Sequence, residues 1–213
     1  MKFSESGTLP LFPNMYFIYG DGGTGKTSLF RQFKGKKLLF SFDMSTNVIK
    51  PEDDTDVMTL EPGDEVTLQS KLPGLLQRSI KSGKYKAIAL DNVSSLQNYV
   101  LENIDDASKD GRQNYQKLQL WFRQLGTMLR DSKITIYATA HQVDSGAADL
   151  GGKGQFKPDM NDKTFNAFTS SFDLVGRIYK HDGQRMIDLD PEQGNHAKNR
   201  IDERTLIKAS ELL

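Results

Sequence analysis

Gly20-Asp21-Gly22-Gly23-Thr24-Gly25-Lys26-Thr27 fills every position of the pattern G-x-x-x-x-G-K-[ST]. Upstream, residues 14–19 (NMYFIY) are an apolar, aromatic-rich run that predicts a buried strand. Downstream, residues 27–33 predict a helix of one to two turns. A strand running in and a helix running out is the setting in which this pattern holds phosphate. The glycines allow a tight turn whose successive backbone N–H groups converge on phosphate oxygens. Lys26 adds a point charge for the outer phosphates, and the Thr27 hydroxyl is placed to ligate magnesium. The expected phosphate cradle is therefore Gly20, Asp21, Gly22, Gly23, Thr24, Gly25, Lys26, Thr27 and Ser28, with ATP and Mg²⁺ as ligands.

A phosphate loop of this kind needs a second group on the metal. Asp91 closes the apolar run Ala87-Ile88-Ala89-Leu90 and reads as that carboxylate, although an acid at a strand end is also a common turn residue. Many ATPases of this type carry a catalytic Glu directly after the aspartate; here the next residue is Asn92. A water-orienting carboxylate must then come from elsewhere. Asp43 stands at the end of a second apolar run, residues 37–42, and reads either as that group or as a strand-end turn residue.

Further out, the chain alternates between strand and helix signals. A short strand is expected at residues 56–60, and helix over 64–82 with Pro73 starting or breaking it. Residues 93–104 predict a helix. Tyr115, Leu118, Trp121, Phe122, Leu125, Met128 and Leu129 recur at spacings of three and four along a long one, with Tyr115 read as core packing. Residues 133–138 return to strand, and 143–163 read as a long glycine-rich loop, a length that usually carries function. Late strands are expected at 173–179 and 185–189, and a closing helix at 203–212. Continuous apolar strands alternating with helices indicate an α/β fold of three layers, with a mainly parallel central sheet and antiparallel strands at the C-terminal end.

These residues resemble the RecA-like ATPases, a group that includes the DnaB-type helicase motor, the RadA and KaiC groups, and small phage-encoded proteins of the Sak recombinase and single-strand-annealing type. The phosphate loop carries the likeness, as does residues 38–45 (LLFSFDMS), which is similar to the helicase strand ending in Ser, an apolar residue, an acid, Met and Ser. That family usually has Glu where this chain has Asp43. Residues 134–142 (ITIYATAHQ) resemble the strand bearing a polar γ-phosphate sensor, a role that would fall to His141 or Gln142. Lys198-Asn199-Arg200 looks like the basic tripeptide whose Lys and Arg reach into a neighbouring subunit's nucleotide site, or else is a solvated basic turn. The small phage chains are also similar at residues 114–118. The resemblance implies an N-terminal extension at 1–13 and one RecA-like ATPase domain at 14–213. It further implies a ring or filament with ATP between protomers, DNA-stimulated turnover, single-stranded DNA as partner, a phage single-strand-binding protein alongside, and location in the host-cell cytoplasm.

Composition narrows the remaining classes. The 213 residues include no cysteine, which removes disulfides, thiolate metal sites and cysteine nucleophiles. No apolar run reaches the ~20 residues of a membrane helix, and residues 1–13 do not read as a signal peptide. Twenty-eight basic residues balance 28 acidic ones, but residues 43–65 hold eight acids against Lys50 alone, which leaves 27 bases and 20 acids elsewhere. Neutrality as an average therefore does not exclude DNA. Lys153, Phe156 and Lys157, with Lys109 and Arg112, are candidate contacts, although the acids of the 143–163 loop equally suit a solvated segment. Two other readings stay open. One is a nucleotide-dependent binding or loading module with little hydrolysis, suggested by Asp43. The other is a small-molecule kinase, disfavoured because residues 143–163 contain no arginine to form a lid.

Overall fold

The structure is a computed structural model that describes residues 3–8, 11–145, 156–191 and 195–213. Strand β1 (Met15–Gly20) alternates its side chains between two buried faces, so every residue of it is buried. It leads through the glycine loop to α1 (Lys26–Leu29) and a 3-10 turn, Phe30–Gln32. Then come β2 (Lys37–Ser41), β3 (Thr55–Thr59), α2 (Leu68–Lys81), β4 (Ala87–Asp91), α3 (Val93–Glu102) and α4 (Gly111–Asp131). The chain continues with β5 (Thr135–Asp144), β6 (Phe156–Pro158), α5 (Asp162–Thr169), β7 (Leu174–His181), β8 (Gln184–Asp188), β9 (Lys198–Asn199) and β10 (Leu206–Lys208).

The sheet runs β10-β8-β7-β1-β5-β4-β2-β3, with β6 added to β5 and β9 to β7. β7, β1, β5, β4, β2 and β3 are parallel to one another, whereas β8, β9 and β10 join antiparallel. On one face Phe17, Phe40, Leu90 and Ala138 pack against α2 to α5 through Leu72, Leu96, Phe122 and Phe168. On the other, Tyr16, Ile18, Leu39 and Tyr137 meet Leu29, Phe30, Phe33 and the C-terminal Ala209 and Leu212. These are the expected three layers, the second of them thin.

Four local expectations are corrected. Pro73 lies inside α2 without ending it. Proline leaves the carbonyl four residues earlier without its helical donor, and here the Trp121 indole N–H donates to that Gln69 carbonyl at 3.0 Å. The segment 203–212 is not a helix but β10 followed by a 3-10 turn, Ala209–Glu211, because Ile207 pairs with Ile187 across the sheet edge. The segment 143–163 is not one loop: β5 extends to Asp144, β6 pairs back onto it, and α5 starts at Asp162. Tyr115 is 45% exposed at the start of α4, outside the core.

A candidate nucleotide-hydrolysis site

The parallel strands β1, β2, β4 and β5 all end at one edge of the sheet, the place where α/β folds gather ligand-binding residues. Gly20 ends β1, Asp43 follows β2, Asp91 ends β4 and His141 lies near the end of β5. They surround a cavity of about 290 Å³ lined by the glycine loop together with Asp43, Asp91, Asn92, His141 and Arg185.

Local packing fixes the loop. A Cβ on Gly20 would fall 2.3 Å from the Ile178 carbonyl, so only glycine lets β1 and β7 approach this closely. Gly25, at φ +98°, takes the left-handed conformation that turns the loop into α1. Four helical residues cannot hold themselves. The Tyr137 hydroxyl donates to the Lys26 carbonyl at 2.7 Å, and the Tyr137 ring stacks on Phe30 with centroids 5.8 Å apart. The Lys26 ammonium folds inward and donates to the Gly20 and Asp21 carbonyls, both at 2.8 Å. Burial lowers its pKa, while Asp91, Asp21 and Asp43 pull it back up. Phosphate oxygens entering the loop would give that ammonium stronger acceptors than peptide carbonyls.

Asp91 is 2% exposed, and burial raises the pKa of its carboxyl. One oxygen accepts from the Thr139 hydroxyl on β5; the other, Oδ2, is buried with no hydrogen-bond partner among the described residues. The Thr27 side chain and the Lys26 charge lie beside it and favour its ionised form. A buried, half-satisfied carboxylate next to a hydroxyl and a phosphate loop fits a magnesium ion, which needs few protein ligands because it keeps waters and takes phosphate oxygens. Among the described residues no group of three or more His, Cys, Asp and Glu could hold a metal without such help.

Asn92 does what the sequence alone did not disclose. Its Oδ1 caps α3 by accepting the Ser95 N–H, while its Nδ2 donates to Asp43 Oδ2 and lies 3.1 Å from His141 Nε2. The same His141 Nε2 lies 4.0 Å from Asp43 Oδ2, so the three side chains form one cluster. The other Asp43 oxygen accepts the Ser45 N–H at 3.0 Å. The His141 backbone is pinned to the Ser94 hydroxyl at 3.1 Å. Of the two sensor candidates, then, His141 lines the cavity, whereas Gln142 accepts from Arg177 Nε at 2.9 Å.

Lys198 and Arg200 are not brought to this cavity. β9 pairs with Leu174 and Val175 at the beginning of β7, the end of the sheet remote from the loop. Lys198 Nζ donates to the Thr169 carbonyl at 2.8 Å and Arg200 to that of Ser170 at 3.4 Å, both at the C-terminus of α5. Burial, followed by the Arg200 charge, lowers the Lys198 pKa to about 8. Of the DNA-contact candidates, Lys157 is paired with Asp162 at 3.0 Å and Phe156 lies 3.5 Å beneath the Arg177 guanidinium. Lys109 and Arg112 are exposed, with Arg112 3.6 Å from Asp110, and Lys153 lies outside the described residues. Arg185 has no signal in the sequence: it comes from β8, far along the chain from the loop, with no motif around it.

A family profile described as an AAA domain matches residues 13–201, nearly the whole chain. The chain belongs to this AAA-domain family. No curated protein matches the sequence significantly. Among solved structures, the AAA domain is similar to a KaiC-like protein from the hyperthermophilic archaeon Pyrococcus horikoshii OT3. That match has a TM-score of 0.53 and 11% identity, over 92% of this chain and 84% of the other. At that identity the likeness shows the fold alone, an α/β fold of three layers around a mainly parallel sheet. Among the described residues no helix of the AAA domain is long and apolar enough to cross a membrane.

Proposed function

We propose that this AAA domain is a magnesium-dependent ATPase acting on single-stranded DNA, in phage recombination, annealing or replication, as a ring or filament with ATP between protomers. The observation that carries the hydrolytic part is the unsatisfied, buried Asp91 Oδ2 beside Thr27 inside the phosphate-loop cavity. In this reading Thr27 and Asp91 hold Mg²⁺, which neutralises charge on the phosphates. The loop N–H groups and Lys26 bind those phosphates. Asp43, held by Asn92, orients the attacking water, and His141 faces the terminal phosphate.

The assembly part is supported by the separation of Lys198 and Arg200 from their own loop, since basic side chains at the far end of the sheet suit a neighbour's site better than their own. The DNA part, with a phage single-strand-binding protein alongside, rests on the resemblance to Sak-type chains. A second reading, a nucleotide-dependent loading module with slow turnover, is favoured by Asp43 already having both oxygens hydrogen-bonded. ATP turnover per chain, measured across a dilution series with and without single-stranded DNA, separates them. DNA stimulation that vanishes on dilution supports the first reading. Tight ATP binding with negligible turnover supports the second, and turnover per chain unchanged by dilution counts against the trans role of Lys198 and Arg200.

A further inference from the structure

A second basin, of about 800 Å³, adjoins the first and is bounded by α1, the β7–β8 hairpin and the C-terminal 3-10 turn. Gly25, Ser28 and Arg185 line both, so the two meet where the phosphate loop passes into α1. The basin is also lined by Lys180 and Lys208, and no carboxylate side chain contributes to it. Lys180 and Arg185 are directly opposed in the antiparallel register of β7 and β8. Opposed residues share a face of the sheet, and like charges placed so repel each other. Neither makes an ion pair or side-chain hydrogen bond among the described residues. Asp182, at the hairpin tip between them, faces His181 at 3.5 Å. The Arg185 guanidinium rests against the phosphate loop itself: a Cβ on Gly25 would lie 2.9 Å from its Nε.

We propose that Lys180 and Arg185 form a second phosphate-binding wall of the nucleotide site, supplied by the hairpin, which grips the phosphate nearest the nucleoside in a bound nucleoside di- or triphosphate. The inference rests on the phosphate-loop reading given above and adds to it the residues that hold the other end of the phosphate chain. A neutral base and sugar would leave two opposed cations uncompensated; a phosphate at the mouth of the loop neutralises both. Arginine's planar fork suits two phosphate oxygens at once. Because that phosphate is common to ADP and ATP, the wall serves both equally.

Calorimetric titration of the full chain with ADP and with ATP, in the presence of Mg²⁺, tests this. Arg185→Ala is expected to weaken both nucleotides about tenfold, the double variant with Lys180→Ala more, and Arg185→Lys less than Arg185→Ala. Melting without nucleotide should show the double variant as stable as the parent or more so, since a repulsion is removed; if it does not fold, Arg185→Gln serves in its place. Parent-like affinity for both nucleotides in the substituted chain, while Lys26→Ala abolishes binding, overturns the inference and leaves the phosphate-loop reading intact. Loss of single-stranded DNA binding or of self-association with nucleotide affinity unchanged also overturns it, by assigning the cations to another partner. Parent-like ATP binding by Lys26→Ala refutes the underlying reading and the inference with it.

Discussion

At the scale of single residues, the site turns on how few groups do several jobs. Asn92 caps a helix and fixes the only amide bridge between Asp43 and His141 among the described residues. Asn92→Ala should therefore lower the rate of ATP turnover at least tenfold while leaving nucleotide affinity nearly unchanged, because the phosphate cradle does not depend on it. Steady-state kinetics beside direct binding measures the two separately. Lys198 gives a pH-dependent expectation. Its pKa of about 8 in the folded protein lies below the ordinary lysine value of 10.5. Between those values the unfolded chain holds more protons, so this residue makes stability rise with pH across the window. Below about pH 8 it is charged in both states, and the penalty of its burial is fully present. Lys198→Met should gain on the parent at pH 7, with the gap closing toward pH 10, as read from urea melts at both values.

What was legible in the sequence at this scale was whatever chemistry lies close together along the chain. The loop from Gly20 to Thr27 is contiguous, and Asp91 and Asp43 each announce themselves by ending an apolar run. Asn92 reads only as a missing glutamate, because its partners lie 49 residues away on either side, one after β2 and one on β5. Arg185 gave no signal, since only the sheet register carries it to Gly25.

At the scale of elements, long periodic segments were readable and short edge pieces were not. The spacing of Leu118, Phe122, Leu125 and Leu129 sets α4 because one side of a long helix must be apolar. β10 is three residues with one buried, too short for periodicity to separate strand from helix, and its state is decided by pairing with β8. β6 is similarly a product of β5. Pro73 stays inside α2 because the missing donor is replaced from another helix, which no local rule foresees. That replacement makes a prediction. Trp121→Phe keeps the packing but strands the Gln69 carbonyl, and should destabilise the fold by about 1–2 kcal/mol. Adding Pro73→Ala restores a backbone donor in α2 and should recover most of the loss. Denaturant unfolding of both variants checks the pair, and equal stabilities of Trp121→Phe with and without Pro73→Ala would show that the indole does not substitute for that bond.

At the scale of the whole molecule, the order β1-β5-β4-β2 gathers at one edge residues spread from Gly20 to His141, whereas β8 brings Arg185 from the other side. Charge is arranged by the same topology. Four of the eight acids of residues 43–65 are paired with bases: Asp53 with Arg31, Asp54 and Asp56 with Lys36, Asp56 with Lys84, and Asp64 with Lys71. Part of the basic surplus outside that segment is thus neutralised along the β3 edge, and any anionic partner must be met by other bases.

This arrangement puts the decisive weight on one atom, Asp91 Oδ2. Asp91→Asn keeps the shape and removes the buried charge, so without metal it should melt at the same temperature as the parent or higher. The measurement that bears most directly on a magnesium-dependent ATPase built at this edge is ATP turnover of the parent and of Asp91→Asn as Mg²⁺ is varied. The parent should hydrolyse ATP in a strictly Mg²⁺-dependent manner, and the folded variant should turn over at least a hundredfold more slowly at every Mg²⁺ concentration. Parent-like, Mg²⁺-dependent turnover in Asp91→Asn would contradict the assignment of this carboxylate and of the site built around it.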